Sequence, residues 1–252
     1  GYPAGPDAAV RERLCRLLAM SAAQAGEGEA QEPLETYLTR YPAGPGAVEV
    51  RFELGNLFFG EGDYAAATEQ YAGVDAGKLP AEDADEYCFK YGYACFEQER
   101  FEAAVRLMAR IAFTSDYYPH AQYVMGYSEY RKGEYQSAKR YFTVIADHPA
   151  YSNVLPFYIL QIEFNDGHYV RENGGAVLRM AAGDRLAELN RIIGESWFYT
   201  GGWREAAQYL ERYRELGGEM DREVYYMLGF AAYMVGDYGE AERNLARGAG
   251  PD

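Results

Sequence analysis

Apolar residues recur along most of this chain at helical spacing, and a longer period is laid over the short one. Leu54 to Tyr71 reads as a helix, a tight turn and a second helix. Gly55 lies on the first helix, Tyr64 follows it by nine residues and Ala67 by twelve. The same marks return as Gly92, Phe101 and Ala104; Gly126, Tyr135 and Ala138; Gly194, Trp203 and Ala206; and Gly229, Tyr238 and Ala241. The five glycines are separated by 37, 34, 68 and 35 residues, and the long gap is two periods with Leu160 at the missing position. Upstream, Val10, Leu14, Leu17 and Leu18 mark one further helix face.

A fixed period near 34 residues with this order of small and aromatic positions resembles the tetratricopeptide repeat (TPR) family. The resemblance covers nearly the whole chain. It implies an all-α fold, a right-handed superhelical solenoid of antiparallel helix pairs, as one unit over residues 1–252. The expected repeats are 14–47 (degenerate), 48–84, 85–118, 119–152, 153–186, 187–221 and 222–250. In the fifth, Val170 to Gly175 lacks the alanine and carries Gly174 and Gly175, so its second helix is expected to be short, displaced or broken. The glycine and alanine are expected where the two helices of a pair cross closely, and the aromatic across their turn. These positions are structural.

On each first helix, the face at i, i+4 and i+7 that omits the glycine gives the candidate binding residues. They are Phe52, Asn56 and Phe59; Phe89, Tyr93 and Phe96; Tyr123, Tyr127 and Tyr130; Phe157, Gln161 and Phe164; Arg191 and Phe198, with Glu195 between; and Tyr226, Phe230 and Tyr233. Two readings stand side by side. The rings form a second core between neighbouring first helices, or they line a groove in which Tyr and Phe supply rigid contact area. In proteins of this resemblance these positions line the ligand groove, with Asn56 matching an asparagine that holds an extended peptide's backbone. Tyr123, Tyr127 and Tyr130, flanked by His120 and Arg131, form the densest patch. The family's clamp for a C-terminal carboxylate is not expected, because only Arg131 and Arg191 are basic on this face and they lie in non-adjacent repeats.

Charge narrows the partner. The 24 Lys and Arg against 39 Asp and Glu leave a net charge of -15, unsuited to nucleic acid or an anionic membrane face. Cys15, Cys88 and Cys95 make no disulfide framework. His120, His148 and His168 stand apart with no second ligand at metal spacing, and no nucleophile, acid–base pair or phosphate loop is evident, so no catalytic residue, cofactor or metal is expected. No apolar run is long enough to span a membrane.

The expected function is a non-catalytic scaffold or adaptor that binds a partner peptide or protein segment on the aromatic face. The alternatives are a carbohydrate-binding module of the bacterial envelope and a structural segment that self-associates through its last repeat. No polar cap follows Leu245, and the sequence opens on Gly1 rather than Met; both favour a piece of a longer or processed protein. The Gly-Asp-Tyr turns at Gly62 and Gly236 resemble bacterial envelope members of the family, which suggests periplasm or envelope over cytoplasm.

Overall fold

The computed structural model describes residues 6–25, 30–169, 177–178 and 184–250. Val170 to Gly175, where the fifth repeat was expected to degenerate, lies outside the described residues. Thirteen α-helices and no strand occur among the described residues. In order they are α1 (Pro6–Ala25), α2 (Gln31–Arg40), α3 (Ala47–Glu61), α4 (Tyr64–Ala72), α5 (Ala84–Glu97), α6 (Phe101–Met108), α7 (Tyr118–Arg131) and α8 (Tyr135–Val144). Then follow α9 (Leu155–Asn165), α10 (Asp184–Tyr199), α11 (Trp203–Glu215), α12 (Arg222–Met234) and α13 (Tyr238–Gly248). The chain divides into two compact units, Gly1–Tyr141 and Phe142–Asp252.

The six helix-pair turns from Gly62 onward share the same local chemistry. After the packing glycine, a residue seven positions on enters the left-handed region: Gly62, Gly133, Gly167, Gly201 and Gly236 at φ 75–88°. A left-handed turn favours glycine because a Cβ would press on the following carbonyl. The third pair places Glu99 there at φ 57°, the only non-glycine with positive φ among the described residues. The spacing thus extends to the fifth repeat, whose Gly167 sits seven after Leu160. The chain then starts the second helix from an N-cap carboxylate in α4 and α13. Asp63 Oδ1 accepts from the Ala66 amide at 2.9 Å, and Asp237 Oδ1 accepts from Glu240 at 3.0 Å. Each satisfies one of the amides that a helix start leaves open.

Four of the packing glycines lie at close crossings, where the nearest neighbour is the side chain sixteen positions on. A Cβ at Gly55 would stand 2.6 Å from the Tyr71 ring, at Gly92 3.0 Å from Met108, at Gly194 2.7 Å from Leu210 and at Gly229 2.6 Å from Leu245. The alanines Ala67, Ala104, Ala206 and Ala241 are buried alongside.

In the first unit a core of Phe52, Tyr71, Tyr87, Cys88, Met108, Val124 and Met125 runs between the helices of successive pairs. Tyr71 and Tyr87 are held by hydrogen bonds as well as by contact. The Tyr87 hydroxyl donates to the Tyr71 carbonyl at 3.1 Å. Burial raises both phenol pKa values, that of Tyr87 to about 12. In the second unit, Leu210, Tyr213, Val224, Met227 and Leu228 join α11 to α12, while Leu160, Leu189 and Ile192 join α9 to α10.

α1 forms where the apolar spacing predicted a helix, but its apolar stripe points outward. Val10, Leu14, Leu17 and Leu18 are 51–69% exposed. The inward face is held by Ala19 and by polar contacts. The Tyr37 hydroxyl donates to Glu12, and Arg16 pairs with Glu49 at 3.3 Å.

Candidate functional site

One ring pair recurs in every repeat that carries a turn aromatic. The residue four after the packing position meets the residue nine after it: Phe59 with Tyr64 at 5.7 Å, Phe96 with Phe101 at 6.0 Å, Tyr130 with Tyr135 at 5.6 Å. The second unit repeats it in Phe164 with Tyr169 at 6.0 Å, Phe198 with Trp203 at 5.4 Å and Tyr233 with Tyr238 at 5.6 Å. These centroid distances suit edge-on or tilted aromatic contact, each pair adding about 1 kcal/mol beyond its buried area. Six of the candidate binding residues therefore also clasp the turn of their own helix pair.

The remaining candidates divide by unit. In the first, Phe52 is only 3% exposed and packs on Tyr71 and Tyr87, so it belongs to the core rather than to the surface face. Asn56 is half-buried, and its Oδ1 accepts the Tyr71 hydroxyl at 2.9 Å. Its side chain also bonds the Glu53 carboxylate. Both contacts brace α3 against its surroundings, a role the sequence face did not assign.

Phe59, Phe89, Tyr93, Phe96, Tyr123, Tyr127 and Tyr130 are half-buried and touch in series. Phe59 meets Tyr93 at 5.8 Å, Tyr93 meets Phe96 at 5.9 Å, and Phe96 meets Tyr127 at 5.9 Å. Tyr127 lies 6.2 Å from both Tyr123 and Tyr130. Phe89 stacks on Tyr117 at 5.0 Å and meets the His120 ring edge-on at 6.2 Å. The rings thus cross from α3 through α5 to α7. The two readings of the sequence coexist in each ring: one flank packs between helices and the other meets solvent.

The charges around this face are mainly acidic. Burial raises the pKa of Glu53, and that of Asp83 is raised by burial and then by Glu82, Glu86 and Glu49. Lys90 answers them, paired with Glu86 at 2.5 Å and lying 5.9 Å from the Phe59 ring centre. At the far end Arg131 pairs with Glu99 at 2.8 Å and lies over the Phe101 ring.

In the second unit Phe157, Gln161 and Phe164 are half-buried along α9, with Phe157 and Phe164 packed against the Leu160 cluster and Arg185 lying over the Phe157 ring at 5.7 Å. Phe198 forms a hub, 5.7 Å from Phe230 and 6.2 Å from Tyr226. Tyr226 and Tyr233 are exposed. Tyr199 and Tyr169, which the helical face omitted, stack at 5.1 Å and are also exposed.

Arg191 is half-buried and pairs with Glu188 at 3.1 Å and Glu195 at 3.6 Å. Glu195 is 8% exposed. Burial raises its pKa to about 7 despite the opposing pull of Arg191, with Glu223, Glu188 and Asp221 adding to the rise. The sequence signal for this was only its place between Arg191 and Phe198.

Among the described residues, no group of three or more His, Cys, Asp or Glu could hold a metal ion, and no helix is long and apolar enough to cross a membrane. The three cysteines are free, and burial raises the Cys88 and Cys95 pKa values.

No family model and no curated protein sequence matches the chain. Solved structures do. A tetratricopeptide repeat protein from Parabacteroides merdae ATCC 43184 superposes over 94% of this chain and 91% of its own, at 16% identity and a TM-score of 0.50. The fold is that of a TPR protein. MamA from MSR-1 aligns over 66% of this chain and 95% of its own, at 13% identity and a TM-score of 0.49. A putative kinesin light chain of Podosopora anserina with nearly identical TPR-like repeats covers 83% and 96%, at 16% identity and a TM-score of 0.41. At such identities the likeness is one of architecture. In TPR terms, α3, α5, α7, α9, α10 and α12 are the first helices of their pairs, and the candidate binding residues lie on them.

Proposed function

We propose that this chain is a non-catalytic scaffold that binds a protein segment along the aromatic face of its first helices. The observation that carries the reading is the unbroken ring series from Phe59 through Tyr93 and Phe96 to Tyr127, half-buried throughout. Such rings are already fixed by their neighbours, so a ligand gains contact area with little ordering of side chains. The phenol oxygens of Tyr93 and Tyr127 add polar tips to an apolar surface. Because Phe59, Phe96 and Tyr130 clasp their turns and Tyr93 meets the turn ring of Tyr64 at 6.0 Å, Phe89, Tyr123 and Tyr127 are the better choices for ligand contacts.

Selection of a displayed peptide library on the immobilised chain tests this, with Tyr127→Ala as the counter-selected surface. Sequences retained by the native chain and lost on Tyr127→Ala, at unchanged thermal stability, support the reading. Equal retention on both, or a variant that loses only stability, refutes it.

The exposed tyrosines of the second unit, Tyr169, Tyr199 and Tyr226, favour a second reading in which sugar rings stack on them. A glycan array separates the two, and silence on the array removes this one.

A further inference from the structure

The aromatic face of the first unit carries charge of one sign where α3 meets the start of α5. On α5, Glu86, Phe89, Lys90 and Tyr93 follow one another at three- and four-residue spacing and so share a flank with the ring series. Glu53 of α3, Asp83 and Glu86 are all half-buried there. Burial raises the pKa values of Glu53, Asp83 and the Tyr117 phenol, and Glu86 raises all three further. Glu86 therefore stands among them, and its field reaches the Phe89–Tyr117 stack. The start of a helix favours carboxylates such as Asp83 and Glu86 through its dipole. That does not account for Glu53, which lies in the middle of α3 and faces the same cluster.

The cations of this unit do not balance the cluster. Glu49, which also acts on Asp83, is matched by Arg16 at 3.3 Å. Arg51, on another flank of α3, lies against Gly73, and Arg131 holds Glu99 at the far end of the face. The ammonium of Lys90 stands among Glu53, Asp83 and Glu86, bonded to Glu86 at 2.5 Å.

Lys90 also shows what this surface accepts. Its ammonium lies 5.9 Å from the Phe59 ring centre while it holds Glu86, so a ring and a carboxylate share one cation. The Phe89–Tyr117 stack, beside the same carboxylates, has the chemistry for a second seat of that kind. An acidic segment would bring like charge to half-buried carboxylates, where salt screens weakly. A neutral segment would gain the rings alone, and a basic one gains both.

We propose, on the reading that this face binds a protein segment, that the segment is basic. A Lys or Arg side chain seats among Glu53, Asp83 and Glu86 against the Phe89–Tyr117 stack, and its apolar neighbours lie on Tyr123 and Tyr127. The net charge of -15 draws such a segment in, and the carboxylates at the start of α5 set its register on the rings.

Fluorescence anisotropy of the full chain with three synthetic peptide pools tests this. The pools share length and apolar positions, and carry Lys and Arg, Ser and Asn, or Asp and Glu between them. The native chain is expected to bind the basic pool about tenfold more tightly than the neutral one, and the acidic pool most weakly. Asp83→Asn combined with Glu86→Gln is expected to remove that preference; Glu53 stays, because its bond with Asn56 braces α3. Lys90→Gln is expected to act the other way and strengthen binding of the basic pool, since it frees Glu86. The opposite sign keeps the test decisive if the double variant folds poorly. Tyr127→Ala is expected to weaken the basic and neutral pools alike. Equal binding of those two pools by the native chain, with both weakened by Tyr127→Ala, overturns the basic partner and leaves the aromatic face standing. A basic preference unmoved by the double variant and by Lys90→Gln belongs to the overall charge and also overturns the proposal. Binding of no pool, or binding indifferent to Tyr127→Ala, overturns both readings.

Discussion

Glu195 offers a quantitative test of how the second unit is held. The residue is 8% exposed, and its pKa rises from the ordinary 4.5 to about 7. In the unfolded chain the group titrates near its ordinary value, so folding works against the ionised form. The sign follows directly. A carboxyl whose folded pKa is raised contributes no penalty below the unfolded pKa, and stability is lost as pH climbs through the interval up to the folded value. The window here runs from pH 4.5 to about 7. At about 1.4 kcal/mol per pH unit, the full loss is about 3.5 kcal/mol, of which about 2.5 kcal/mol falls between roughly pH 5 and pH 8.5. The attraction of Arg191 is already inside that figure, since it lowers the value that burial raises.

Glu195→Gln keeps the shape and removes the titration. Relative to the native chain it is therefore expected to gain about 2.5 kcal/mol between the same two conditions, whatever its offset at the acidic one. The assay is denaturant unfolding followed by tryptophan fluorescence. Both tryptophans, Trp197 and Trp203, lie in the second unit, so the signal reports that unit alone. Taking the difference between variant and native chain cancels Glu188, Glu223 and Asp221. Parallel pH profiles for the two proteins would refute the reasoning and mean that Glu195 meets more water than its packing implies.

Two further predictions concern backbone and packing. A Cβ at Gly194 would press on Leu210 Cγ at 2.7 Å and its backbone nitrogen at 3.0 Å, whereas nothing lies within 4 Å of one at Gly60. Gly194→Ala is expected to destabilise by about 1–2 kcal/mol, because overpacking outweighs the gain in helix propensity; Gly60→Ala, with that gain alone, is expected to stabilise by up to about 1 kcal/mol in thermal unfolding. Gly133 has φ 79° and open space around its Cβ position, so Gly133→Ala isolates the left-handed penalty. A loss of about 1 kcal/mol is expected by circular dichroism melting, with the reverse sign for Glu99→Gly.

The repeat frame was legible because packing demands small residues at fixed intervals, and Gly55, Gly92, Gly194 and Gly229 all face a bulky side chain across the pair. The turn glycines, seven residues further on, were equally readable in the sequence once that frame was drawn. Only Glu99 hides in the third pair, since its side chain gives no sign of left-handed backbone. The candidate surface was less legible. Helical periodicity sorts residues by angle around one axis and is blind to reach across a turn, so the clasp of Phe96 with Phe101 or Phe198 with Trp203 could not be separated from ligand-facing duty. Phe52 shares its angle with Phe59 but lies deeper along α3, where Tyr71 and Tyr87 close over it. For α1, periodicity located a stripe without saying which side has neighbours. The side was decided by Glu12 and Arg16, which find Tyr37 and Glu49.

The step from packing glycine to left-handed turn residue has a consequence for engineering the chain. It is seven residues in all six pairs from Gly55 onward, including the pair whose period is 37 rather than 34 or 35. The three surplus residues fall instead after α4, where short 3-10 turns at Ala76–Lys78 and Ala81–Asp83 carry the chain to α5. Nature has thus already inserted length at this junction while leaving the hairpins on either side in register. A tag or reporter spliced between Gly77 and Leu79 inherits that tolerance, whereas the same splice at Gly62 would shift Tyr64 out of reach of Phe59 and open the pair.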